Sequence, residues 1–253
     1  MARMKFMNTE IDNLTMQETL QAIDQLIQEN KSAYVVTPNV DHIVQLETNK
    51  ELQAVYKNAS LILTDGKPLL WIANWYGTPI KEKISGSDLF PLLCKMAAEK
   101  GYKMFFLGAA EGVAAKAAEN LMNRFKGLQV TGTYSPAFGF EKDSVEMDKI
   151  KSMIKASGAD ILIVGLGCPK QEKFMYHHCE ELGVPISFGL GASFDFEAGN
   201  IKRAPRWMAN HGLEWLFRIT QDPKRMAKRY LVDDRKILGL AIKYGKIGKR
   251  VAR

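Results

Sequence analysis

Most of the side chains that could do chemistry lie in five polar or glycine-rich segments, each directly after a short apolar run. The segments are 37–39, 64–66, 108–112, 165–171 and 189–195. In a parallel α/β sheet the carboxyl ends of the strands open on one edge, where ligands bind. Glycine turns that precede helices also offer backbone N–H groups to a phosphate or diphosphate. The set therefore predicts an active-site cleft, although any one segment alone could be a tight β–α turn.

The glycine spacings do not form a standard nucleotide fingerprint. Gly108-x-x-x-Gly112 is not a dinucleotide-binding turn, and Gly165-x-Gly167 has Lys170 where the third glycine would stand. The chain also has no Walker A sequence. We still expect Gly108 to contact a phosphorylated substrate. A nucleotide-binding oxidoreductase or epimerase is disfavoured, but it stays open as an alternative function.

No cluster of metal-ligating residues is visible in the sequence, so we expect neither a metal nor another cofactor. The adjacent His177 and His178 point to different faces of a helix, and the segment 195–197 resembles an acid-x-acid metal site only loosely. We expect His42 and His211 to be surface or packing residues as well.

Strands and helices alternate along the chain and must position these segments. Predicted strands are continuous apolar runs at 33–36, 61–63, 103–107, 128–133, 160–164 and 185–188. Predicted helices cover about 16–30, 41–58, 88–100, 111–125 and 144–157. Thr15 and Asp143 are predicted to cap the first and the last of these, and Ser87 or Asp88 the third. Apolar strands between helices predict an α/β fold with a parallel sheet that is covered on both faces.

Length and composition indicate a globular domain with an appendage. The chain has 253 residues, of which 46% are hydrophobic and 25% charged, so wholesale disorder is excluded. No signal peptide and no apolar run of transmembrane length is visible. Cys94, Cys168 and Cys179 form no C-x-x-C pair. We therefore expect a cytoplasmic protein with reduced thiols and without a cysteine nucleophile.

Positive charge is concentrated in the last part of the chain. Residues 200–253 hold 15 Lys+Arg and 4 Asp+Glu, whereas residues 1–199 hold 20 and 24. No strand pattern continues beyond 199, and Pro223 is predicted to separate two helices. The sequence thus predicts a core over 1–199 and a helical, basic appendage over 200–253.

Aromatic side chains accompany the basic ones in the appendage, as at Trp207, Trp215 and Phe217. Basic helices with aromatic residues are typical of elements that lie on a membrane surface. The same composition fits a nucleic-acid-binding patch or a solvated face above core aromatics. The residue pattern alone leaves these three interpretations open.

Six motifs give the chain a specific resemblance to one family. They are TPNVDH, TDGKPL, KISGSDL, GTYSPAFGF, GCPKQE and GASFDFEAGNIKRAP. In this order they resemble the WecG/TagA/CpsF family, glycosyltransferase family 26, over about 12–231. The resemblance implies a Rossmann-like core with a C-terminal appendage that contacts the membrane. It also implies an inverting hexosyltransferase that moves a sugar, N-acetylmannosamine or a relative, from a UDP-sugar to a sugar on polyprenyl diphosphate, typically N-acetylglucosamine.

The resemblance also implies roles for single residues. Asp65 matches the aspartate of the family's DG motif, the proposed base that takes a proton from the acceptor hydroxyl group. Thr37 and Asn39 match the TPN motif and would hold the sugar or the acceptor. Gln171 and Asp195 match the KQE and SFD motifs and would line the donor pocket.

Basic residues complete the implied site. Lys83 stands where the family usually has arginine, and it keeps the charge but not the two-pronged hydrogen bonding of a guanidinium group. Arg218, Arg225 and Arg229 match the family's appendage arginines, with Lys228 as an alternative for the last position.

The resemblance decides which partners we expect. They are a UDP-sugar donor, an acceptor on undecaprenyl diphosphate and an anionic membrane surface, without a nucleic acid. A role in teichoic acid, other cell-wall or exopolysaccharide synthesis would place the protein at the inner face of a bacterial cell membrane. Whether it forms a homo-oligomer is left open.

Overall fold

A six-stranded parallel sheet forms the centre of the molecule, as expected for an α/β fold. The computed structural model describes residues 3–205, 207–208 and 211–251, without the side chains of Arg225 and 246–251. The sheet consists of β3 (Ala33–Val36), β4 (Leu61–Ile62), β5 (Lys103–Gly108), β6 (Gln129–Tyr134), β7 (Ile161–Gly165) and β8 (Ile186–Gly189). A separate antiparallel hairpin consists of β1 (Arg3–Phe6) and β2 (Thr9–Asp12).

Helices alternate with these strands along the chain. In the first half they are α1 (Met16–Glu29), α2 (Val40–Leu46), α3 (Lys50–Asn58), α4 (Lys67–Trp75) and α5 (Gly86–Lys100). In the second half they are α6 (Val113–Arg124), α7 (Ser144–Ser157), α8 (Lys170–Leu182) and α9 (Ser193–Ala198). The appendage contains α10 (Glu214–Gln221), α11 (Pro223–Lys228), a π-helical turn (Arg229–Asp233) and α12 (Lys236–Val251).

The strand order places a crevice in the middle of the sheet. The order is β4-β3-β8-β7-β5-β6, with every neighbouring pair parallel. After β5 the chain crosses to the edge strand β6, whereas after β7 it turns the other way to β8. Connections that diverge between neighbouring strands open a crevice at their carboxyl ends, where α/β sheets bind ligands.

Each face of the sheet packs against its own apolar layer. Val36 and Val164 belong to one layer. Val35 and Ile163, their immediate neighbours in β3 and β7, belong to the other. All four side chains are fully buried. Successive residues of a strand point to opposite faces, so continuous apolar runs are the sequence signature of a sheet covered on both sides.

Two of the predicted helix caps are confirmed. Thr15 Oγ1 accepts a hydrogen bond from the Glu18 N–H at 3.2 Å, while the Glu18 carboxylate accepts from the Thr15 N–H at 2.7 Å. At α7 the Asp143 carboxylate accepts from the N–H groups of Val145 and Glu146. Both side chains satisfy donors that a helix start leaves without an intrahelical partner.

Two other helix predictions are wrong at their boundaries. The cap of α5 is Ser85, not Ser87 or Asp88, because its hydroxyl accepts from the Asp88 N–H at 3.3 Å. The single helix predicted after β3 is two helices. Asn49 interrupts it, since its side-chain oxygen accepts from the Leu52 N–H at 3.0 Å and starts α3.

No sequence pattern predicted the β1–β2 hairpin or α4. The hairpin attaches to the edge strand through Asp12, which pairs with Arg3 at 2.9 Å and accepts from the Ile62 N–H at 2.8 Å. Helix α4 begins after Gly66, whose φ of +105° strongly favours glycine, and has Pro68 in its first turn.

The appendage packs against the core through its last helix. Ile237 and Ala241 of α12 are buried in the same apolar layer as Val36. Tyr76, which follows α4, donates its hydroxyl hydrogen to the Ala241 carbonyl at 2.7 Å. The predicted break at Pro223 is confirmed, since α10 ends at Gln221 and α11 begins at Pro223. The boundary at 199/200 stays a prediction.

Candidate active site

The larger of two neighbouring cavities lies at the carboxyl ends of the central strands and has a volume of about 530 Å³. Seven of the ten predicted site residues line it: Thr37, Asn39, Asp65, Gln171, Asp195, Arg218 and Arg229. They come from the loops after β3 and β4, from the first turns of the helices α8 and α9 that follow β7 and β8, and from the appendage. The predicted convergence of these loops is therefore present in the fold, and two appendage arginines join it.

The smaller cavity has a volume of about 390 Å³ and shares a wall with the larger one. Residues that line both are Asn39, Asp65, Arg218 and Arg229. Its remaining lining combines apolar side chains, such as Trp215, Leu231 and Leu238, with basic ones. The larger cavity is rich in glycine and hydroxyl groups, so the two chambers differ in chemistry.

Asp65 lies where the two cavities meet. Its backbone N–H donates to the Pro38 carbonyl at 2.8 Å, which ties the loop after β4 to the TPN loop after β3. Removal from water raises the pKa of Asp65 to about 6, and the neighbouring positive charges of Arg218 and Lys83 limit the rise. A carboxylate with a pKa near 6 is ionised at neutral pH and is a stronger base than a solvated aspartate.

Gln171 fits into the larger cavity because two glycines leave room for it. A Cβ atom on Gly189 or Gly191 would lie 2.8 Å from the Gln171 amide. The Gln171 side chain is 6% exposed, and its Nε2 donates to Glu172 at 2.8 Å. Its Oε1 accepts no hydrogen bond from the described residues. The glycines at the end of β8 and in the following loop therefore make room for a polar side chain, in addition to forming the turn.

Gly108 has a packing role in the sheet, and its predicted contact with substrate stays a prediction. It is buried, and Ala109 lines the larger cavity in its place. Its φ is +109°, and a Cβ atom there would overlap the Gly165 carbonyl. The close approach of β5 to β7 is therefore sufficient to require glycine at this position.

Asn39 connects the TPN loop to the appendage and to α2. Its Oδ1 accepts from Arg229 Nη2 at 3.2 Å and lies 2.9 Å from His42 Nδ1. Arg229 also lies 3.8 Å from Asp41 and 3.9 Å from Asp234. These contacts hold one appendage arginine at the wall between the cavities.

Arg218 is the second appendage arginine in the site. It pairs with Glu214 one helical turn earlier at 2.9 Å, and its guanidinium lies 5.5 Å from the centre of the Phe196 ring. Its buried Nε donates to none of the described residues. The residue lines both cavities, so its guanidinium group places a positive charge at the wall between them.

Lys83 lines only the smaller cavity. Its ammonium group lies 3.2 Å from Asp88, which also pairs with Arg203 of the appendage at 3.3 Å. Asp195 lies in the first turn of α9, where Asn200 Nδ2 is 3.4 Å from its carboxylate.

Of the two candidates for the last appendage position, Arg229 lines both cavities, whereas Lys228 is exposed and lines neither. The prediction for Arg225 concerns a side chain outside the described residues.

Sequence reasoning missed a buried cluster beside the larger cavity. It consists of His42, Cys168 and Glu172, whose potential ligand atoms lie within 4.8 Å of one another. Burial alone would lower the pKa of His42, but the adjacent Cys168 and Glu172 groups raise it well above its usual range. His42 follows the TPN loop, and the other two belong to the GCPKQE motif, so only the pairing of β3 and β7 with β8 brings them together.

Comparison with known proteins agrees with this geometry. Residues 4–251 match the Glycosyl transferase WecG/TagA/CpsF family. A relative from Bacillus spizizenii, an N-acetylglucosaminyldiphosphoundecaprenol N-acetyl-beta-D-mannosaminyltransferase, is 35% identical over 79% of this chain and 75% of its own length. A Bacillus subtilis protein of the same name is 30% identical over 80% of this chain and 75% of its own length.

These matches support a transferase over the oxidoreductase or epimerase and the nucleic-acid-binding module. The family match extends through the core and the appendage into α12. The enzyme is a glycosyltransferase, and the chain belongs to the WecG/TagA/CpsF family.

Proposed function

We propose that the protein transfers N-acetylmannosamine from a UDP-linked donor to N-acetylglucosamine on a polyprenyl diphosphate. The names of the two Bacillus relatives supply the acceptor and the sugar. The observation that carries the proposal for this chain is the position of Asp65 on the wall between a glycine-lined cavity and a partly apolar, basic one.

The larger cavity suits the nucleotide-sugar donor. The loops after β7 and β8 present glycines and the amide of Gln171 to it. Arg218 and Arg229 also line it and can neutralise the leaving diphosphate. The anomeric carbon of the donor would then lie toward Asp65.

The smaller cavity suits the lipid-linked acceptor. Lys83 and Arg235 can pair with its diphosphate, while Leu231 and Leu238 can contact the first part of the prenyl chain. Asp65 would accept the proton of the acceptor hydroxyl group as that oxygen bonds to the anomeric carbon. The bond from this carbon to UDP breaks at the same time, so the configuration at the carbon inverts.

Exposed apolar side chains of α4 and α12 form a surface beside the smaller cavity, which Leu238 also lines, and this surface would contact the membrane. It is formed by Trp71 and Trp75 of α4 and by Leu238 and Ile242 of α12, each at least half exposed. Trp75 lies beside Gly245 of α12, so the two helices form one surface. Exposed apolar groups next to basic residues suit an anionic lipid surface, and this attachment would be peripheral.

None of the described helices combines the length and the hydropathy of a membrane span. The proposed lipid-linked acceptor and the apolar surface of α4 and α12 lead us to propose peripheral attachment at the inner face of a bacterial membrane. The appendage contributes only half of the contacting surface in this account, because α4 belongs to the core.

A screen of UDP-sugars against a synthetic polyprenyl-diphosphate N-acetylglucosamine tests the proposed substrates. We expect transfer from UDP-N-acetylmannosamine at a rate well above that from UDP-glucose or UDP-N-acetylglucosamine. Release of UDP without a disaccharide product, or preference for another donor, would contradict the proposal. Titration with NAD and with an oligonucleotide provides the controls for the alternative functions.

A further inference from the structure

Three side chains of different chemistry meet beside the larger cavity without a role in the transfer step. His42 Nε2 lies 3.3 Å from Glu172 Oε1, and Cys168 Sγ completes a group whose potential ligand atoms are all within 4.8 Å of one another. His42 is 5% exposed and Glu172 1% exposed. An imidazole, a thiol and a carboxylate are the ligand types that zinc prefers in proteins.

Each of the three side chains has a polar neighbour that could orient it as a ligand. His42 Nδ1 lies 2.9 Å from Asn39 Oδ1 and 3.3 Å from the Asn39 backbone nitrogen, so Nε2 is the ring nitrogen directed at the cluster. Gln45 Nε2 donates to Cys168 Sγ at 3.5 Å, and Gln171 Nε2 donates to Glu172 Oε1 at 2.8 Å. Metal-bound histidines and carboxylates are typically held by such outer hydrogen bonds.

Glu172 has a vacant bonding position in this cluster. Its Oε2 is buried and accepts no hydrogen bond from the described residues. A buried carboxylate oxygen without a partner is costly, and a cation is one way to satisfy it. The His42–Glu172 contact accounts for only one of the two carboxylate oxygens.

We propose that His42, Cys168 and Glu172 form a binding site for one thiophilic divalent cation of the Zn²⁺ class. The three side chains supply one nitrogen, one sulfur and one oxygen ligand. His42 and Cys168 also line the larger cavity, so the fourth position of a tetrahedral ion would face that cavity. The proposal is independent of the transfer reaction, in which the cluster has no assigned step.

Titration of the untagged, chelator-treated full-length protein with Co²⁺ tests this site, because a cobalt–thiolate bond gives a charge-transfer band in the near ultraviolet. We expect a band that saturates at one Co²⁺ per chain and that Zn²⁺ abolishes. Cys168→Ser should lack the band. Cys179→Ala, which removes the buried thiol of α8, should keep it.

Glu172→Gln tests the third ligand without a change in side-chain size. We expect at least about a tenfold weaker Co²⁺ affinity, the scale reported even for loss of an outer partner. No band in the wild-type protein, or a band that follows Cys179 instead of Cys168, would overturn the site. Unchanged affinity in Glu172→Gln would overturn the three-ligand assignment. Circular dichroism of each variant verifies that it is folded.

Discussion

Arg229 donates a hydrogen bond to Asn39 at 3.2 Å, across 190 residues of sequence. This contact places an arginine of the appendage on the TPN loop, next to the proposed base Asp65. The appendage is therefore part of the wall of the candidate active site and is not only a basic extension. A buried apolar contact through Ile237 supports the same placement.

Arg229→Ala should lower kcat/KM by about 10- to 100-fold, because a hydrogen bond to a charged group contributes about 1.5–3 kcal/mol. Lys228→Ala is the matched control. Lys228 is the exposed residue next to Arg229, so this variant loses one positive charge outside both cavities. Steady-state kinetics with the lipid acceptor measures both. Equal losses in the two variants would show that only the overall charge matters.

The sequence was most informative where local chemistry decides the structure. Thr15 and Asp143 cap helices as predicted, since a capping side chain bonds to a backbone within three residues. The strand ends that hold Asp65 and Gln171 converge as predicted, because parallel strands share one carboxyl edge. These features depend on short patterns and on the handed connections of a parallel sheet.

Long-range contacts could not be predicted in the same way. Gly108 and Gly189 look alike in the sequence, since each ends a strand before a turn. In the structure the Gly165 carbonyl requires glycine at 108, whereas the glycine at 189 makes room for Gln171. The cluster around His42 depends on a contact across 130 residues. Its spacing in the sequence matches no ligand motif, so only the tertiary fold reveals it.

Activity should rise with pH through the range around 6. Burial raises the pKa of Asp65 to about 6, and only the ionised carboxylate can accept the acceptor proton. Below this pKa, kcat/KM should fall about tenfold per pH unit, and above it the profile should be flat. Asp234 is the control, because burial also raises its pKa to about 6. If Asp234→Asn abolished the inflection, the inflection would belong to Asp234 and not to Asp65.

Transfer should continue in excess EDTA. Arg218, Arg229 and Lys83 line the two cavities and can stabilise the diphosphates without a divalent ion. Because these basic side chains would stabilise the diphosphates, loss of a cation from the cluster of His42, Cys168 and Glu172 should not abolish transfer. Abolition by the chelator, with rescue by Mg²⁺ or Mn²⁺, would contradict this expectation and implicate Asp195 and Glu197 as ligands.

Replacement of Trp75 and Leu238 by glutamine should weaken sedimentation with anionic vesicles by about tenfold or more, since both are at least 60% exposed on the proposed membrane surface. Val145→Gln is the control, because this exposed apolar residue lies on α7 beside the edge strand β6. Binding that is equal in all three proteins would exclude the surface formed by α4 and α12 as the membrane contact.

The most direct test compares wild-type protein with Asp65→Asn at saturating donor and lipid acceptor, with UDP affinity measured on the same samples. We predict a loss of about 10²–10⁴ in kcat, the usual scale for removal of a general base. UDP affinity should stay within a few-fold, because the amide keeps the shape of the carboxylate. Turnover close to wild type in Asp65→Asn would contradict the assignment of Asp65 as the base between the two cavities.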